Sequence, residues 1–292
     1  MLERLARRAE AVARRVVEQP PFPQPPLCPT RYPVVLMHGF GALAGLKPGG
    51  VLHEEAMHLR AHGIWAYAPH VNPYDTVAVR AAAWRDRIER VRAETGAEKV
   101  NLVAFSSGGL DARHLAGPMG YAPHVAALVT VSTPHRGSAV VDYLLARPER
   151  LQRGVLALMA FFGRAAYADA PPHAREALAE MTPAAVAGVF EPAHPIAPLL
   201  AAGVYCASYA GQAGRGTDVG IYPPLALANR ILYRLGGLND GYVTVESARW
   251  GRFLGTVDAD HARQIGLRLT PSAFDSRAFY LAVAQHLRAQ GL

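Results

Sequence analysis

The sequence predicts an α/β domain: a mostly parallel central sheet with helices on both faces, and a helical cap or lid insertion late in the chain. Three observations predict it. Short apolar runs alternate with amphipathic stretches between residues 32 and 133. Several runs, such as residues 100–105 (VNLVAF), are apolar throughout or nearly so, the mark of strands buried on both faces. The alternation then stops after Thr133 and resumes near Val204. Composition agrees: the 292 residues are 51% hydrophobic and 18% charged, which suits a large buried core and excludes a disordered chain.

The elements follow in order. Leu2, Leu5, Ala9, Val12 and Val16 recur at helical spacing, so residues 2–18 read as an amphipathic helix with an Arg-rich outer face. The proline run of residues 20–29 (PPFPQPPLCP) cannot continue it and reads as an extended linker. Residues 1–30 thus stand apart from a main domain over 31–292. There, residues 32–39 (YPVVLMHG) form a strand running into glycine, residues 53–63 a helix with a glycine stop, and residues 64–69 a strand. Val77, Trp84, Ile88 and Val91 mark one face of a long helix ending near Gly96. Residues 100–105 are a strand, the next helix begins at the serines, and residues 125–133 are another strand. Residues 139–200 form the insertion, with Ala-rich helical stretches and an apolar run at 154–163 (GVLALMAFFG). Residues 204–211 return to the sheet. The last strand lies at 253–257 and a final helix at about 274–288.

Charge narrows the partners. Thirty Lys and Arg against 23 Asp and Glu give +7, spread thinly, with no basic cluster interleaved with aromatics, so nucleic acid is a poor fit. Cys28 and Cys206 make neither a disulfide framework nor a zinc site. No membrane span is read, since uncharged stretches are broken by His, Pro and Gly. Residues 1–19 carry Arg and Glu throughout and lack an apolar secretory region, so the expected location is cytoplasmic, with export by another route left open.

The segment VNLVAFSSGGLDAR carries the chemistry. A strand turns sharply into a helix through Ala104-Phe105-Ser106-Ser107-Gly108-Gly109, a nucleophile elbow with Ala in its first glycine position. The strained turn needs small residues two before and two after the nucleophile. Framing on Ser106 places Ala104 and Gly108 there, whereas framing on Ser107 places the Phe105 ring at a tight position. Ser106 is therefore the candidate nucleophile rather than a plain helix-capping serine. Acyl transfer also needs backbone N–H donors for an oxyanion, and the expected pair is Ser107 and Phe40, the latter in the loop His38-Gly39-Phe40-Gly41. His38 itself reads as structural. An acid and a base should follow in the order Ser, Asp, His. Asp240 (in LNDGYV) and His261 (in VDADHARQIG) fit loops at strand ends. Asp258 and Asp260 compete for the acid; His135, His194 and His286 compete for the base.

Taken together, VVLMHGFG, KVNLVAFSSGGLDARHLA, LVTVSTPHRGS, NDGYV and the terminal W-G-x-F-L-G…ADH resemble the bacterial true lipases of the Pseudomonas and Burkholderia type, in the α/β-hydrolase superfamily. The resemblance runs in family order from about Tyr32 to His261. It implies Ser106 as nucleophile, His261 as base, Asp240 as acid, and the Phe40 and Ser107 amides as the oxyanion hole. His135 and Arg136 then begin the lid region without a catalytic role. Three departures stand out. Phe105 replaces the usual histidine before the nucleophile, which should alter packing rather than chemistry. Arg263 occupies a position where the family has a calcium-ligating Asp, so the calcium site is expected to be lost and replaced by an Asp–Arg pair, with Asp218 matching the upstream ligand. No secretion signal is seen.

The expectation is thus a cofactor-free serine ester hydrolase acting through an acyl-enzyme, most simply a triacylglycerol lipase that touches a lipid interface through its apolar cap. The Ala-rich cap equally suits a short-chain esterase or an intracellular polyester (polyhydroxyalkanoate) depolymerase. A reading of another class is a non-catalytic α/β-hydrolase-fold binding protein, docked on a membrane by its N-terminal basic helix.

Overall fold

The computed structural model describes residue 13 and residues 25–41, 49–150, 173–267 and 272–292. The expected N-terminal helix, most of the proline linker and the apolar run 154–163 lie outside the described residues.

Six strands form one sheet in the order β2-β1-β3-β4-β5-β6. They are β1 Val34–Met37, β2 Ala66–Tyr67, β3 Val100–Phe105, β4 Val125–Val131, β5 Tyr205–Gly211 and β6 Arg252–Val257. Every pairing between them is parallel; Val103, for example, lies between Leu36 and Val129. β3 and β4 are buried along their whole length, which is why they read as unbroken apolar runs rather than as alternating ones.

Side chains alternate between the two faces with period two. Val34, Leu36, Val103, Phe105 and Val129 join one core. There they meet Leu52 and Leu59, at helix α1 (His53–Ala61), and Tyr280, Val283 and Leu287 from the C-terminal helix Ser276–Ala289. Val35, Met37, Leu102, Ala104 and Leu128 enter the other core. It is closed by Trp84, Ile88 and Val91 of α2 (Val77–Thr95) and Leu115 of α3 (Gly108–Ala116). Each fully buried large side chain in these layers contributes about 1.5–3 kcal/mol of transfer free energy.

The inserted segment between β4 and β5 is helical where it is described: α4 (Ala139–Leu145), Ala174–Ala179, and short runs from Pro183 to Ala201. Val141, Leu178, Met181, Val186 and Phe190 pack together on Leu110 at the start of α3, with Phe40 against the cluster. Residues Pro183–Ala201 are, by length and composition alone, long and apolar enough to cross a membrane, which the sequence reading did not anticipate. Four prolines interrupt this run. Arg113 of α3 also binds it, donating to the Glu191 carboxylate at 2.6 Å and to the His194 carbonyl at 2.6 Å. Those polar ties read it as a segment packed on the domain.

Candidate active site

At the end of β3 the chain reverses into α3, and Ser106 takes a left-handed backbone conformation with φ 55°. A non-glycine residue is held there only by its surroundings. The Ser106 N–H donates to the Val131 carbonyl, and its own carbonyl accepts from the Thr133 hydroxyl at 2.6 Å. The turn is too tight for side chains on its neighbours. A Cβ on Gly108 would stand 2.6 Å from the His38 carbonyl oxygen, and one on Gly39 would stand 2.6 Å from the Ser106 Cβ. The requirement for a small residue two positions after the nucleophile therefore has a steric cause, and the loop at Gly39 adds a second.

The structure brings Ser106, His261 and Asp240 together from three separate loops. His261 Nε2 lies 2.9 Å from Ser106 Oγ, and its Nδ1 lies 2.7 Å from Asp240 Oδ2. A carboxylate only accepts, so Nδ1 carries the proton and Nε2 is left as the acceptor for the serine hydroxyl. Asp240 is fully buried. Its Oδ1 accepts the N–H groups of Tyr242 and Val243, and its Oδ2 accepts from His261 and from Gln264 Nε2 at 3.0 Å. Burial alone would raise this carboxyl; the interaction with His261 and the two backbone donors outweigh it and hold it below the usual carboxylate range. The His261 ring is flanked by Phe105, 4.5 Å away between centroids, and by Tyr242 at 5.1 Å. Phe105 is buried against this ring.

The other candidates lie elsewhere. His135 is buried, accepts from Arg113 and stacks on Trp250; burial and Arg113 push its pKa well below 6.5. His194 sits in the inserted segment against His114, and His286 meets the Tyr205 hydroxyl on the C-terminal helix. Asp258 accepts from Gln212 on the surface. His38 accepts the Val71 N–H and faces the Gly39 carbonyl, and burial lowers its pKa to about 3.

The loop expected to supply an oxyanion donor carries a contact that the sequence does not announce. The Phe40 N–H, assigned to the oxyanion hole, donates to Ser107 Oγ at 2.8 Å. Ser107 Oγ also accepts from Arg80 Nη1 at 3.1 Å. Arg80 is buried, pairs with Asp111 at 2.7 Å and donates to the His38 carbonyl. The sequence signal for Arg80 is its place on the inward face of α2, between Val77 and Trp84. Gln264 and Ser132 were also not singled out. Ser132, itself at φ 48°, accepts from Gly211 N–H and donates to Gln264 Oε1, which fixes the Gln264 amide so that its Nε2 faces Asp240. Gln264 lies three residues after His261 on a 3₁₀ turn, the one sequence cue that it shares this site.

The residues beside His261 fit a calcium ion poorly. Arg263 pairs with Asp260 at 2.9 Å and also donates to the Gly220 carbonyl. Asp260 Oδ1 accepts the Ala262 and Arg263 N–H groups, and Oδ2 accepts from Tyr222 N–H. A dication here would meet a fixed guanidinium and oxygens whose lone pairs are already engaged.

No family model matches the chain. It is 37% identical over 123 residues to triacylglycerol lipases of Pseudarthrobacter phenanthrenivorans and Burkholderia plantarii, and 32% identical over 116 residues to one from Pseudomonas fragi. Each match covers 39% of this chain and 37%, 33% and 39% of the relative, so the chain spans little more than a third of the curated relatives' length. Among solved structures, a mature Bacillus licheniformis lipase superposes with a TM-score of 0.64 at 21% identity, covering 90% of this chain and 96% of that one. A metagenomic carboxyl esterase gives 0.69 at 20%, covering 93% and 80%. The chain therefore has the α/β-hydrolase fold and is similar in sequence to bacterial triacylglycerol lipases.

Proposed function

We propose that this chain is a serine carboxylic-ester hydrolase. The observation that carries the reading is the hydrogen-bonded line Ser106–His261–Asp240 set on a strained elbow. His261 takes the Ser106 proton as Oγ attacks the ester carbonyl, and returns it to the leaving alcohol. Water, activated by the same imidazole, then releases the acid from the acyl-enzyme. Asp240 stays ionised, fixes the tautomer and stabilises the imidazolium. The names of the sequence relatives and structural neighbours support this class.

Triacylglycerol is the finer reading. Exposed Tyr143 on α4, Leu227 on the helix Ala226–Gly236 that packs on α4, and Tyr242 beside His261 offer apolar surface to an acyl chain. The inserted segment 139–201 would act as the cap. Calcium takes no part in this reading, because Arg263 supplies the positive charge between the Gly220 and Asp260 loops.

Hydrolysis of p-nitrophenyl esters from C2 to C16 by wild type and Ser106→Ala tests it. Turnover that peaks at long chains and disappears in the variant supports the lipase. A short-chain peak moves the protein to the esterases, and turnover unaffected by the substitution overturns the serine mechanism.

A further inference from the structure

A hydroxyl has two acceptor lone pairs and one proton. Both acceptor positions of Ser107 Oγ are taken, by the Phe40 N–H at 2.8 Å and Arg80 Nη1 at 3.1 Å. The proton must then be given away, yet no acceptor among the described residues takes it, although Ser107 is only 2% exposed. A buried donor without a partner is rare enough to need a cause.

Its position suggests one. The backbone at Gly39 runs so close to the nucleophile that a Cβ there would lie 3.0 Å from Ser106 Oγ. Phe40 N–H is the next amide along, and Ser107 Oγ is bonded to it. The unplaced proton thus belongs to a hydroxyl tied to the loop that borders the nucleophile. Resting on the ester-hydrolase reading above, we infer that the Ser107 hydroxyl is itself an oxyanion donor, standing in for the Phe40 amide. Phe40 and Arg80 act behind it. Both donate into Oγ, which polarises the O–H, and the interaction strengthens as negative charge grows on the substrate oxygen. Asp111 pairs with Arg80 at 2.7 Å and holds its guanidinium in place.

A rival account makes the same bond a latch: Ser107 blocks the Phe40 amide and must let go. The two accounts predict opposite signs. If Ser107 donates, Ser107→Ala lowers kcat on p-nitrophenyl butyrate by about 10²-fold, the usual cost of one oxyanion donor, with KM little changed. Ser107→Thr keeps most of the rate, and Ser107→Cys, close in size but a weak donor, falls between. Comparison of an oxygen ester with its thionoester separates donation from a displaced loop. Sulfur accepts hydrogen bonds poorly, so losing a donor slows the ester far more than the thionoester, whereas a displaced loop slows both alike. A kcat for Ser107→Ala at or above wild type, in a Ser106-dependent enzyme, overturns this inference alone. A wild type that turns over no ester, like Ser106→Ala, overturns the parent reading and this one with it.

Discussion

Replacing Gln264 by leucine removes an amide that holds two partners at once. Its Nε2 donates to the Asp240 carboxylate at 3.0 Å, and its Oε1 accepts from the Ser132 hydroxyl at 2.7 Å. A hydrogen bond to a charged group contributes about 1.5–3 kcal/mol, and a buried hydroxyl left without its acceptor costs about 1–3 kcal/mol. Leucine of similar volume recovers part of this by apolar burial. The net loss should be about 3 kcal/mol, lowering the unfolding midpoint by roughly 5 °C in a domain of this size. Gln264→Glu is the more discriminating change, because it keeps the shape and the acceptor for Ser132. The introduced carboxyl faces Asp240 in a buried site, so its folded pKa must lie above its unfolded value of about 4.3. Its neutral form is favoured in the fold. The variant should approach wild-type stability at acid pH and lose it as pH rises from about 4.3 through the raised folded value. Thermal unfolding of wild type and both variants between pH 4 and pH 9 reads this directly. A Gln264→Glu curve parallel to wild type, or a Gln264→Leu loss below about 0.5 kcal/mol, would refute the argument that this amide braces the acid.

Other predictions follow from single contacts. Arg263→Ala leaves the Asp260 carboxylate buried without its guanidinium, a loss of about 3–5 kcal/mol on unfolding by denaturant, and wild-type hydrolysis should be unchanged by chelators. Inhibition by chelator, reversed by added calcium, would contradict this. Asp240→Asn should lower kcat by about 10⁴-fold while the fold is kept, because the amide favours the wrong imidazole tautomer; steady-state kinetics and thermal unfolding together check it. His173 donates to Asp75 at 2.8 Å, and that hydrogen bond and charge raise its pKa above 6.5. The pair's small contribution is therefore full below 6.5 and fades as pH rises through the raised value, so wild type and His173→Ala should melt alike at alkaline pH and diverge at acid pH.

What could be read in the chain was whatever depends on neighbours in sequence. The strands β3 and β4 declare themselves because both faces are buried, and α2 because its inward residues recur at helical spacing and Gly96 ends it with φ 66°. Ser106 was legible because the elbow's steric demand acts on residues two positions away. β2 is only two residues long, shorter than IWAYAP suggests, since the edge of the sheet pairs with β1 at Ala66 and Tyr67 alone. Gln264, Ser132 and Arg80 carry no motif; their roles come from which groups a folded chain brings within 3 Å. The direction of the Phe40 N–H belongs to the same class, since it turns on where the Ser107 hydroxyl lies. The Asp–Arg pair forms with Asp260 rather than with Asp218, because the local 3₁₀ turn places residues three apart side by side.

The central claim is that Ser106 is an activated nucleophile. A fluorophosphonate probe, followed by intact mass and peptide mapping, tests it without any assumption about the substrate. The account predicts one probe per chain, attached at Ser106, with labelling lost in Ser106→Ala and strongly slowed in His261→Ala. Folded wild-type protein that takes up no probe, or takes it up at another residue, would contradict it.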